Sequence, residues 1–141
     1  MTARAVPEPM PEQVQTDAEP FATVIRFDYT SPPLTANQRM HWRKKAEITK
    51  TVRAVTALKA ARIPALGKCR VTLTWVVTTK RRRDADNIVP TLKAMCDGLV
   101  DAGIVADDTP DLMEKVMPVI VYEKGGTARM ELRVEMIGGA W

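Results

Sequence analysis

The chain has few of the residues on which many enzyme classes depend. Of its 141 residues, two are cysteine and one is histidine. Cys69 and Cys96 lie far apart in sequence, which argues against a disulfide framework or a cysteine zinc site and suits a reducing cytoplasm. His41 alone cannot build a histidine-rich metal site, and no nucleophile-elbow motif accompanies it for a Ser-His-Asp arrangement. Aromatics are only 5% of the chain. No apolar run approaches bilayer length, so no membrane span is expected. Residues 1–20 hold four prolines and four acids and lack the apolar centre of a signal peptide. They are expected to be a disordered tail on a soluble, cytoplasmic protein, with a single domain over 21–141.

What is present is ordinary in amount and unusual in arrangement. Apolar content is 45% and charged content 27%, as in a typical globular domain. The net charge of +4 argues only weakly for a polyanionic partner. From Leu34 to Ile63, however, eight Lys or Arg residues face a single acid, Glu47. From Asp84 to Glu114 eight acids face a single base, Lys93. Charge is segregated along the chain.

The patterning predicts an α+β domain. Ile25, Phe27 and Tyr29 alternate with Arg26 and Asp28, as in a strand with one buried face, and Ser31-Pro32-Pro33 ends it. Ile48, Val52, Val55 and Leu58 fall at helical spacing within Met40 to Ala61, and Arg43, Lys50 and Arg53 project opposite. Pro64 and Gly67 interrupt, and Val71, Leu73, Trp75 and Val77 alternate as a second strand that runs into Lys80 to Arg83. A second helix is expected from Pro90 to Asp101, burying Leu92, Met95 and Leu99, with Gly103 as its left-handed terminator. Gly98 inside it costs about 1 kcal/mol relative to Ala, which implies close approach by another backbone. Two more strands, Lys115 to Tyr122 and Ala128 to Ile137, follow around a turn at Gly125-Gly126. The order is βαβαββ, a mixed sheet packed by two main helices.

Arg81-Arg82-Arg83-Asp84-Ala85-Asp86-Asn87 sets phosphate attraction beside cation-binding capacity. Arginines hold a nucleic-acid backbone by charge, and clustered carboxylates repel it unless a divalent cation lies between. In an extended segment Asp84 and Asp86 would point to one side and share an ion. Asp107 and Asp108 would join them only if the chain beyond the second helix folds back. The plainer account is that Asp86 or Asn87 caps the helix, that Asp108 to Asp111 is a turn, and that Lys93 pairs with Asp97. An EF-hand is excluded, since its turn glycine and late glutamate are missing after Asp84. Asn37, Arg39, His41, Arg43, Lys44 and Lys45 form a second basic patch. Trp42 within it is expected to pack.

The ordered set Arg81 to Asn87, Lys93, Asp97-Gly98-Leu99, Asp101-Ala102-Gly103-Ile104 and Asp107-Asp108 resembles the RusA family of Holliday junction resolvases. The resemblance covers most of residues 22–137. It implies a homodimeric, Mg²⁺-dependent endonuclease, with Mn²⁺ as an alternative metal and no small-molecule cofactor. The implied activity is paired nicking of four-way junction DNA, and many family members are encoded by phages or prophages. Asp84, Asp86 and Asp108 would hold metal with help from Asp107, and Lys93 would be the catalytic lysine. DNA would be contacted by Asn37, Arg39, Arg43, Lys44, Lys80, Arg81, Arg82, Arg83 and Asn87. Compared with the family pattern, the Asp86 to Lys93 interval is three residues longer and contains Pro90. A branched-DNA-binding module without cleavage and a nuclease of broader range are the alternatives.

Overall fold

A computed structural model describes residues 21–138, so the expected tail, residues 1–20, lies outside the described residues. Five strands and two helices form a mixed α+β domain: β1 (Ala22–Phe27), α1 (Trp42–Lys59), β2 (Cys69–Val77), α2 (Val89–Asp101), β3 (Met113–Lys115), β4 (Val119–Tyr122) and β5 (Arg129–Met136). The strand order is β1-β5-β2-β3, and β4 also pairs with β2. β5 runs antiparallel to both β1 and β2, whereas β3 and β4 run parallel to β2.

The expected strand from Lys115 to Tyr122 is two strands. Cys69–Val71 of β2 pairs with Met113–Lys115 and Thr74–Val77 with Val119–Tyr122, so Val116, Met117 and Pro118 stand opposite only Thr72 and Leu73. One extra residue and a proline without an N–H break the ladder there. The turn at Gly125, whose φ is +76°, carries the chain past the end of β2, because β2 separates β4 from β5.

The alternation seen in sequence becomes the core. Cys69, Val71 and Leu73 of β2 and Met130, Leu132 and Val134 of β5 are fully buried, in one cluster with Val52 of α1 and Leu92, Met95 and Leu99 of α2. Both cysteines are free and buried. Burial pushes the Cys69 thiol up to about 11 and the Cys96 thiol to about 12, so both stay protonated and inert near neutrality.

α1 buries a narrower stripe than its apolar spacing suggests. Val52 and Thr56 are its buried residues, and Leu58, expected on the buried face, is 78% exposed. The reason lies across the interface. A Cβ on Gly98 of α2 would sit 2.5 Å from the Arg53 carbonyl oxygen and 2.7 Å from the Thr56 Cβ. The helices therefore cross backbone to backbone, a contact made by small groups that turns Leu58 outward. α2 ends as expected: Ala102 N–H bonds to Gly98 O, Ile104 N–H to Leu99 O, and Gly103 has a φ of +82°.

Candidate nucleic-acid interface and acidic site

Beyond β2 the chain passes through the arginine run into a 3₁₀ turn, Ala85–Ile88, that leads directly into α2. Asp84 keeps an extended backbone (φ −107°, ψ 124°) and Asp86 lies inside the 3₁₀ turn, so the pair does not share the extended segment expected of it. Capping does not explain these residues either. Neither the 3₁₀ turn nor α2 has a side-chain cap bond, and the residue at the α2 cap position is Ile88. Both carboxylates are left exposed. The longer interval before Lys93 is taken up by the 3₁₀ turn, and Lys93 falls four residues after the first residue of α2.

A groove of about 470 Å³ runs between the β1–α1 loop and the arginine run. Thr35 and Asn37 line one wall; Arg81, Arg82, Arg83, Asp84 and Asn87 line the other. Asn37, Arg81 and Arg82 are exposed. Arg83 is committed to the wall itself. Its guanidinium lies 5.1 Å from the centroid of the Trp75 ring, and it donates to Thr79 O and Thr79 Oγ1 at 2.9 Å. Trp75 is anchored in turn by its indole N–H, 3.1 Å from Thr30 O. Lys80 leaves the groove wall and lies 5.1 Å from the Tyr122 ring centroid.

The second basic patch is solvent-facing. Arg39, Arg43 and Lys44 are exposed, and Trp42, expected to pack, is 68% exposed. His41 stacks on its ring and the Arg43 guanidinium lies 5.3 Å from its centroid. His41 also caps α1, its Nδ1 accepting from Arg43 N–H at 3.1 Å. Trp42 borders an open hollow of about 730 Å³ on the side of α1 next to the end of α2, together with Lys45, Lys50, Arg53 and Asp101.

On α2, Lys93 meets two acids. Its Nζ donates to Asp97 Oδ1 and to Asp108 Oδ2, each at 2.8 Å. The expected Lys93–Asp97 pair is therefore real, and the chain beyond α2 does return Asp108 to the same helix. Asp107 Oδ1 accepts from Asp108 N–H at 2.8 Å and braces that turn. Lys115, which the sequence reading treats only as a strand residue, completes the cluster. Its Nζ donates to Asp108 O at 2.9 Å and to Oδ2 at 3.2 Å. Nothing in the local sequence marks it, because the contact depends on how β3 sets Lys115 against the Asp107-Asp108 turn.

Hydrogen bonds from Lys93 and then Lys115 hold the Asp108 carboxyl down from its ordinary 3.8 to about 2. The same bonds raise Lys93, with Asp108 the larger cause and Asp97 the next. A depressed carboxylate contributes stability that is full above its ordinary range and lost as pH falls through the folded value. Acid titration should therefore lower the urea midpoint progressively between about pH 4 and pH 2. The Asp108→Asn protein should lack its share of that loss; an identical acid limb in both proteins would refute the assignment.

Four aspartates offer hard oxygen ligands, so their chemistry suits Mg²⁺. Their placement does not yet suit it. Among the described residues, no group of three or more His, Cys, Asp or Glu side chains is positioned to hold a metal ion, and two ammonium groups engage the Asp108 carboxylate. Among the described residues, no helix is long and apolar enough to cross a membrane. Neither a protein-family model nor a curated protein matches the chain.

Proposed function

We propose that the chain is a RusA-like endodeoxyribonuclease that binds four-way junction DNA in the cytoplasm and hydrolyses it with paired nicks. The observation that carries this reading is the 2.8 Å contact between Lys93 and Asp108. Two residues fifteen apart, both in the family-like pattern, meet on one side of the domain. The groove between Asn37 and Arg81-Arg82 supports it, since exposed guanidinium groups attract backbone phosphates. In this reading a strand enters along that groove, with the basic face of α1 adding charge. Lys93 then supplies a cation near the phosphate under attack. The resemblance assigns Mg²⁺, or Mn²⁺ in its place, to Asp84, Asp86, Asp107 and Asp108, which would have to draw together to hold it; the ion would supply charge neutralisation and an activated water. A two-fold homodimer would bring two sites to a junction of near two-fold symmetry.

A branched-DNA-binding module without cleavage is the second reading, favoured by the ungathered acids. The two separate on a labelled mobile junction incubated with and without Mg²⁺. Paired nicks that need the metal, lost in Asp84→Asn or Asp86→Asn proteins that still bind the junction, are the expected result. Binding without nicks by the native chain would establish the second reading. Loss of binding in the Asn variants would make the acids structural.

A further inference from the structure

We infer that Thr91 is a positioning residue that sets the loop wall of the strand groove, an inference that rests on the nuclease reading. Thr91 lies in the first turn of α2 and is 0% exposed. Its hydroxyl donates to Leu34 O at 2.7 Å and accepts from Leu34 N–H at 3.1 Å. One side chain thus satisfies both backbone groups of a residue 57 positions away. A buried helical threonine ordinarily turns its hydroxyl back to the carbonyl four residues earlier. Thr56 does so, donating to Val52 O at 2.8 Å. For Thr91 that carbonyl belongs to Asn87, and Asn87 O instead accepts from Ala36 N–H at 3.0 Å.

The loop is therefore laced at Leu34 and Ala36 to the segment that carries Asp84, Asp86 and Asn87. Leu34, 2% exposed, plugs the core at the same point. Between and beyond these laces, Thr35 and Asn37 face the arginine run across the groove. Their register against Asp84 follows from the Thr91 hydroxyl. A wall fixed in advance loses little freedom when a strand enters, so the lacing acts on binding. The Lys93–Asp108 contact involves neither the loop nor the hydroxyl, so the rate on bound substrate does not depend on it.

The test uses the full chain and a fluorescein-labelled four-way junction. Anisotropy in EDTA reads binding, and single-turnover cleavage in Mg²⁺ at saturating protein reads the rate. Thr91→Val should weaken binding about tenfold, as expected when a buried donor and acceptor lose their partner. The saturating rate should stay within about threefold, and Thr91→Ser, which keeps the hydroxyl, should bind like the native chain. In the native chain the Leu34 and Ala36 amides should exchange as slowly as those of α2, and in Thr91→Val faster. This arm survives if the valine protein fails to fold.

Native binding by Thr91→Val, an equal defect in Thr91→Ser, a lower saturating rate with unchanged binding, or loop-like exchange of both amides in the native chain would each overturn the inference. Any of these, alongside normal junction cleavage by the native chain, removes the inference and leaves the nuclease reading standing. Failure of the native chain to bind junction DNA removes both.

Discussion

On the nuclease reading, a Lys93→Met protein is expected to bind a four-way junction within a few-fold of the native chain and to cut it about 10²–10³-fold more slowly, the loss typical of removing one donor aimed at developing charge. The geometry makes the two effects separable. The Lys93 side chain is 56% exposed and reaches its acids at the surface. Exposed ion pairs contribute only about 0–1 kcal/mol to stability. Asp108 also keeps its second partner in the variant, because Lys115 holds both its backbone oxygen and its carboxylate. The fold and the turn that presents Asp108 should therefore persist, as a thermal melt would verify. Lys93→Arg should not rescue the rate fully, since a planar guanidinium cannot place a compact charge between Asp97 and Asp108 in the same way. Native-rate cleavage by Lys93→Met would reduce Lys93 to the ion-pair partner of two aspartates.

The strands and helices of this domain were legible where one face of an element is buried against one neighbour. In β5, Met130, Leu132 and Val134 are all 0% exposed, because period-two alternation maps directly onto a sheet with one covered face. The helix α2 was equally clear, with the proline near its start and Gly103 at its end. The break between β3 and β4 was not, since Pro118 alone does not say how many residues oppose β2. Neither was the outward turn of Leu58, which depends on how closely a different helix approaches. Helical spacing marks apolar positions without saying which of them a partner reaches.

The candidate site divides the same way. Residue types and order pointed to Lys93 and Asp108, and the fold unites them. Asp84 keeps the extended backbone expected of it, but Asp86 does not, because the segment after it coils into a 3₁₀ turn. Lys115 and Thr91 were passed over because each acts through a tertiary contact. A strand lysine and a helical threonine carry no local mark of the residue they will meet. Arg83 shows the opposite error: a charge run reads as uniform in sequence, yet one of its three members is consumed by stacking on Trp75.

Gly98→Ala should lower stability by about 1–2 kcal/mol, an overpacking cost offset in part by about 1 kcal/mol of improved helix propensity. The atoms in the way decide the sign. An added Cβ would meet the Arg53 carbonyl oxygen at 2.5 Å, the Thr56 Cβ at 2.7 Å and the Ala57 nitrogen at 3.2 Å. Two of these are backbone atoms of α1, and Thr56 is itself buried with its hydroxyl bonded to Val52 O. None can swing aside as a flexible side chain could, so α1 must move as a unit. Such movement would also loosen the Arg53–Asp101 pair that joins the two helices. It would also open contacts around Val52, which is 1% exposed. For a domain of this size the loss corresponds to a fall in Tm of roughly 5 °C, and Gly98→Val, with two more carbons at the same crossing, should fall further. A Gly98→Ala protein as stable as the native chain, or more stable, would mean that the helices do not cross this closely and that the glycine only weakens α2.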